Sequence, residues 1–255
     1  MKLIDLYRQA IDCGIAADPR GRERVTAELE RAREQYRELA DKEKEFFDPE
    51  KLDNPYADTR IAYGDPQAEV HSLLVGVDME VGEVLLADRL REKGRRIDLI
   101  LAHHPEGRAL AQFYEVMYMQ ADILARMGVP INVAEGLMAP RVKEVAHRIL
   151  PVNHTRAQDA ARELGLPLLC IHTPADNHVT TYLQKRFDEK KPYRLSDILD
   201  MRLEIPEYNR AALESSGPVI LAGQKDSRCG GVFVDMTGGT EGSKDIFSSL
   251  AGTAV

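Results

Sequence analysis

The chain has 255 residues, 44% of them apolar and 30% charged, which describes a soluble globular protein with a real core rather than a disordered one. Lys and Arg total 34 against 42 Asp and Glu, and a net charge of −8 argues against a surface for the phosphate backbone of nucleic acids. No apolar run nears the roughly 20 residues that span a bilayer, no signal-peptide pattern opens the chain, and Cys13, Cys170 and Cys229 lie far apart without a CxxC spacing. That cysteine usage excludes a disulfide scaffold and a zinc ribbon, and the expected compartment is the reducing cytoplasm.

In chain order, residues 1 to about 12 read as a short amphipathic helix bearing Leu3, Ile4, Leu6, Tyr7 and Ile11. After the turn at Asp18-Pro19-Arg20-Gly21, a second helix is predicted to about Phe47, with Val25, Leu29, Ala32, Tyr36, Leu39 and Phe46 on one seam that Glu43 interrupts. Asp48-Pro49 and Asn54-Pro55 mark a loop, and the core is expected to begin near His71. Residues 72–78 form an apolar strand ending in Asp78, and a helix over 80–93 is closed by Gly94. A buried strand over 97–102 follows, then a helix over 109–127 that is apolar nearly all round, then a short strand over 131–134. Helices over 137–149 and 154–165 precede a strand from Pro167 to Ile171, with the next helix starting at about 177. Residues 190–206 are charged and turn-rich, a linker or lid, and strands are predicted over 218–222 and 231–235. The glycine-rich segment 237–243 lacks the lysine and spacing of a phosphate loop and reads as a turn. The small apolar ending through Val255 suggests a native chain that continues. This gives a helical N-terminal extension over 1–69, an α/β core over 70–189 and a second α/β portion over 190–255.

Two strands run out into metal-capable side chains. The first ends in His103-His104-Pro105, where proline stops the ladder, and the second in His172-Thr173-Pro174-Ala175-Asp176. Strands alternating with helices imply a largely parallel sheet, whose carboxyl ends share the edge where such folds place ligands. Neighbouring strand residues point to opposite faces. The two histidines therefore serve one site only if the chain is leaving the strand; otherwise each takes its own ion, or the pair is simply a polar strand end. Imidazoles with a carboxylate suit zinc, iron, manganese or cobalt. His172 and Asp78 are candidates for orienting the ligands, and Glu106 and His178 for an acid/base at the rim against a plain solvated loop. His71, His147 and His154 fit ordinary surface or helix positions.

Taken together these motifs resemble the NIF-three family (Ngg-one-interacting factor three-like proteins), whose hallmarks are a strand ending in His-His-Pro and a later one ending in His-Thr-x-x-Asp. Leu74-Val75-Gly76-Val77-Asp78 also resembles the family strand that precedes His-His-Pro, and the likeness covers roughly residues 70–180, with 217–250 matching more weakly. The resemblance implies an α/β fold with a mixed or mostly parallel sheet and helices on both faces, ring-shaped homo-oligomers, and a dinuclear divalent-metal site. Its ligands carry over to His103, His104 and Asp176; a further family pair, a histidine and a glutamate from a later segment, has no counterpart, since no histidine follows His178. Glu106-Gly107-Arg108 replaces the family's apolar continuation, so pocket specificity does not carry over. The implied function is a metal-dependent hydrolase, with a non-catalytic metal-binding, metal-delivery or scaffold protein as the alternative. The family's GTP cyclohydrolase type two assignment finds no guanine or triphosphate motif here.

Overall fold

In the computed structural model, which describes residues 1–250 and 253–255, the central element is the strand Leu99–Ala102. The first half of the chain supplies helices α1 (Leu3–Ala16), α2 (Arg22–Glu38) and α3 (Asp41–Lys44), then strands β1 (Arg60–Tyr63) and β2 (Leu73–Gly76), helix α4 (Val81–Glu92) and β3 (Leu99–Ala102). Helices α5 (Arg108–Ala111), α6 (Met119–Arg126), α7 (Ile131–Ile149) and α8 (Arg156–Glu163) lead to β4 (Leu168–Cys170) and α9 (Thr173–Lys190). The remainder forms α10 (Leu195–Leu203), α11 (Pro206–Leu213), β5 (Gly231–Val232), α12 (Ile246–Ser249) and β6 (Thr253–Ala254). Among the described residues no helix is long and apolar enough to cross a membrane.

The chain divides into two compact units, one of Met1–Val179 with Met236–Ser243, the other of Thr180–Asp235 with Lys244–Val255. The first holds a four-stranded sheet in the order β1-β4-β3-β2, in which β2, β3 and β4 are parallel and β1 is an antiparallel edge. Alternation along each strand feeds two cores. Leu99 and Leu169 pack with Leu3, Tyr7 and Ile11 of α1 on one face. Ile100, Ala102, Leu168 and Cys170 pack with Val84, Ala87 and Ala161 of α4 and α8 on the other. Each fully buried leucine contributes about 1.5–3 kcal/mol, so helices cover both faces, as a parallel sheet requires.

Strand β1 escapes hydropathy reading because it opens on an arginine. Arg60 is buried and paired with the equally buried Asp48, so the charge marks an internal ion pair rather than a loop. The helix expected to reach Phe47 ends at Glu38, because Leu39 turns extended and the Glu43 carboxylate accepts the Ala40 N–H at 2.9 Å to start a separate turn. Phe46 is consequently left on the surface, 86% exposed.

Residues 131–134, expected as a strand, form the first turn of α7. Ala134, Met138, Val142 and Val145 make one buried stripe at helical spacing that starts inside the expected strand, while Ile131 and Val133 face solvent. The single helix predicted over 109–127 is three pieces, α5, a 3₁₀ turn over Phe113–Tyr118, and α6. Against that turn lies the glycine-rich segment: a Cβ on Gly239 would sit 3.0 Å from Met117 Cγ, and Gln120 Nε2 donates to the carbonyls of Gly238 (2.6 Å) and Thr240 (2.8 Å). It is a pinned turn. Helix α9 starts at Thr173 rather than near 177, with Pro174 in the first turn where its missing N–H costs nothing.

In the second unit the expected linker over 190–206 is largely helix α10, whose start is capped by Asp197 accepting the N–H groups of Tyr193 and Arg194, each at 2.9 Å. The strand expected over 218–222 does not form: Val219 and Leu221 are 70% and 94% exposed, and an apolar run without a neighbouring strand gains nothing by extending. The strand expected over 231–235 shortens to β5, paired in parallel with β6.

Candidate metal centre

The carboxyl ends of β2, β3 and β4 lie side by side, and each continues into a polar residue. Past Ala102 the chain leaves the strand, yet the N–H groups of His103 and His104 still donate to the carbonyls of Gly76 and Val77, both at 2.9 Å. The bend brings both imidazoles to one place, with ring centroids 5.2 Å apart. Because β2 and β3 run in register, the same extension sets Asp78 beside His104, Oδ1 to Nδ1 at 2.6 Å.

Strand β4 delivers the third ring. The Ile171 N–H donates to the Ala102 carbonyl at 2.9 Å, and the next side chain, His172, stacks on His103 with centroids 4.6 Å apart and planes 18° apart. Phe113 meets the His172 ring edge-on at 5.4 Å. Nitrogens of His103, His104 and His172 lie within 4.8 Å of one another, a grouping that could hold a metal ion. One turn into α9, Asp176 places Oδ1 at 3.5 Å from His103 Nε2 and Oδ2 at 3.4 Å from His172 Nδ1.

The donor chemistry fits a divalent cation. His103 Nδ1 faces the Ile171 carbonyl at 3.3 Å, His104 Nδ1 faces Asp78, and His172 Nδ1 faces Asp58 Oδ2 at 3.0 Å. An Nδ1–H held by an oxygen leaves Nε2 with the lone pair that a metal needs, the usual second partner of a ligating histidine. Burial, together with the neighbouring His172 and His104, holds the His103 pKa below its ordinary value and favours the neutral, ligating form. For His172 burial acts in the same direction, but the hydrogen bond and charge of Asp58, aided by Asp176, outweigh it and raise the pKa. Burial, with Asp58 adding to it and the histidines opposing, pushes the Asp176 carboxyl up to about 6.

The site is open at one end and closed at the other. The His104 side chain is 51% exposed, whereas those of His172 and Asp176 are 7% exposed. Glu106 is buried nearby with its Oε2 unpartnered, and burial, reinforced by Glu80 and Asp78 against Arg156, pushes its carboxyl up to about 7. His178 is exposed on α9 and makes none of the ring contacts or ion pairs that join the other three. His154 is turned to the Ile149 carbonyl at 2.8 Å, and His71 and His147 are exposed. Cys170 lies in the apolar core with Ile100 and Leu168, where burial raises its thiol to about 12.

Two residues of the site carry no sequence signal. Phe113 hides in an apolar helix-like run. Asp58 sits in a loop whose neighbours Tyr56, Ala57, Thr59 and Arg60 are all buried, a property that hydropathy does not disclose.

These features define a class: an α/β protein whose parallel strand ends gather an imidazole–carboxylate cluster that could hold a metal ion. Within that class the likeness is to the NIF3 superfamily. The fold is similar to the crystal structure of a NIF3 superfamily protein from Sphaerobacter thermophilus, with a TM-score of 0.66 and 26% identity over 76% of this chain and 69% of that one. No protein-family model matches the sequence, and no curated protein matches it.

Proposed function

We propose that the protein is a divalent-metal-dependent hydrolase of the NIF-three type, with two ions held by His103, His104 and Asp176. The observation that carries this reading is the convergence of three imidazoles and a buried carboxylate at one sheet edge. Asp176 Oδ1 lies 3.5 Å from His103 Nε2, the nitrogen left free to ligate, so this carboxylate would share an ion with that ring. Zinc, iron, manganese or cobalt would supply Lewis-acid polarisation of a substrate oxygen and activation of water near neutral pH.

The chain's own residues do the rest. The exposed flank at His104 and Asp78 admits substrate, while Phe113 and the buried His172 exclude water from the inner side. Glu106, a buried carboxyl within electrostatic reach of Asp78 and with one unpartnered oxygen, would be the group that moves a proton. A homo-oligomer in the cytoplasm is part of the same reading. Strand β2 supports the association, being an edge strand with Leu73 and Val75 39% and 60% exposed and followed by Val77 at 56%.

The test is elemental analysis of untagged, chelator-free protein, followed by turnover of phosphodiester and carboxylic-ester substrates with each metal. Bound metal with turnover that Glu106→Gln abolishes without releasing metal is expected. Protein that takes up no metal removes the reading. Metal without turnover on any substrate, and indifferent to Glu106, leaves a non-catalytic metal-binding protein.

A further inference from the structure

Asp58 is fully buried at 0% exposure, and three side chains converge on its carboxylate. His172 Nδ1 at 3.0 Å and Thr173 Oγ1 at 2.6 Å reach Oδ2, and Thr59 Oγ1 reaches Oδ1 at 3.3 Å. The loop that carries it is held from within: Asn54 Nδ2 donates to the Thr59 carbonyl at 2.8 Å, and Asn54 Oδ1 accepts the Tyr56 N–H at 2.8 Å. Thr59 Oγ1 also accepts the backbone N–H of His172 at 3.2 Å, fixing backbone and ring together.

A carboxylate taken wholly out of water is expensive unless its partners are fixed and polar. Among the described residues Asp58 pairs with no arginine or lysine; its partners there are two hydroxyls and an imidazole. An ionised carboxylate only accepts hydrogen bonds, so the ring it faces carries its proton on Nδ1. The other oxygen near that nitrogen, Asp176 Oδ2, is farther away at 3.4 Å.

We propose that Asp58 is the positioning residue of the metal centre: by holding Nδ1–H of His172 it fixes the tautomer and the ring, and so makes His172 an Nε2 ligand alongside His103 and His104. Asp78 does the same for His104, and the Ile171 carbonyl for His103. The inference rests on the metal reading above for its purpose, but the orientation of His172 is measurable in metal-free protein.

The experiment has two arms on the full chain. Long-range proton–nitrogen correlation spectra of metal-free, nitrogen-15-labelled protein, with His172 assigned through His172→Gln, read its tautomer; Nδ1–H is expected. Titration with cobalt compares wild type with Asp58→Asn, which keeps the shape and loses the charge. Second-sphere partners of this kind are worth about 10–100-fold in affinity, and a loss of that size with an altered visible spectrum is expected. A neutral Nε2–H tautomer in wild type overturns the proposal, as does an Asp58→Asn variant with wild-type cobalt affinity and spectrum. Should Asp58→Asn fail to fold, the wild-type tautomer decides alone. Wild type that takes up no cobalt removes the metal reading; His172 found as Nδ1–H in that protein would still confirm its orientation by Asp58.

Discussion

Asp78 and His104 face each other across adjacent parallel strands, Oδ1 to Nδ1 at 2.6 Å, because each lies two residues beyond the register pair Gly76 and Ala102. Both side chains are largely in solvent, so the pair contributes little to folding, roughly 0–1 kcal/mol. Its effect is on the ring. Asp78→Ala is expected to leave the urea midpoint within about 0.5 kcal/mol of wild type while lowering cobalt affinity about 10-fold. Calorimetric titration beside chemical unfolding checks both halves, and unchanged affinity would detach Asp78 from the site.

Metal should stabilise the fold by mass action. An ion present at 100 times its dissociation constant adds about 2.7 kcal/mol, so chelation lowers the melting temperature and re-addition restores it. Asp176→Ala, which removes the carboxylate facing two imidazoles, should abolish that response. A melting temperature indifferent to chelator and metal would contradict it.

The buried Asp48–Arg60 pair predicts an acid limit to stability. Burial alone would raise the Asp48 carboxyl, but the Arg60 hydrogen bond and charge, with Arg108 and the Glu50 N–H, outweigh it and hold it below its ordinary 3.8. The sign follows from a folded-state pKa below the unfolded one: the contribution is complete above about pH 5 and is lost as pH falls through the folded value. Asp48→Asn should cost about 3 kcal/mol at pH 7, since it leaves the buried Arg60 guanidinium with only the more exposed Glu50 as an acidic partner, and should flatten this part of the acid dependence. Urea unfolding between pH 3 and 7 measures both.

Strand β2 predicts association. Val75→Asp puts a charge in the middle of an exposed apolar edge, which should shift the protein to smaller species by light scattering without altering cobalt affinity. Identical masses for both proteins would place any interface elsewhere.

Much of the site is legible in the sequence because it sits at the ends of apolar runs. His103-His104-Pro105 and His172 through Asp176 both announce themselves as polar, metal-capable breaks after a buried strand, and the parallel register then brings them together. Hydropathy is less informative where burial is achieved by pairing charges. Arg60 with Asp48 makes β1 look like loop, and Asp58 looks like a solvated acid although it lies in the core. Residues 131–134 and 218–222 fail for a different reason. A short apolar run has no preference of its own between strand, helix turn and open chain until a neighbour is supplied.

The sequence by itself therefore determined the three parallel strands β2, β3 and β4, the two histidine-bearing strand ends and the parallel α/β class, since these follow from local pattern and the rules of strand connection. Only the tertiary structure decided that the N-terminal helix α1 covers one face of the sheet and that β1 closes its edge. It also decided that Asp58, 114 residues before His172, reaches its ring. Those choices depend on which distant surfaces meet, and a buried carboxylate is tolerated only once its partners have been brought to it.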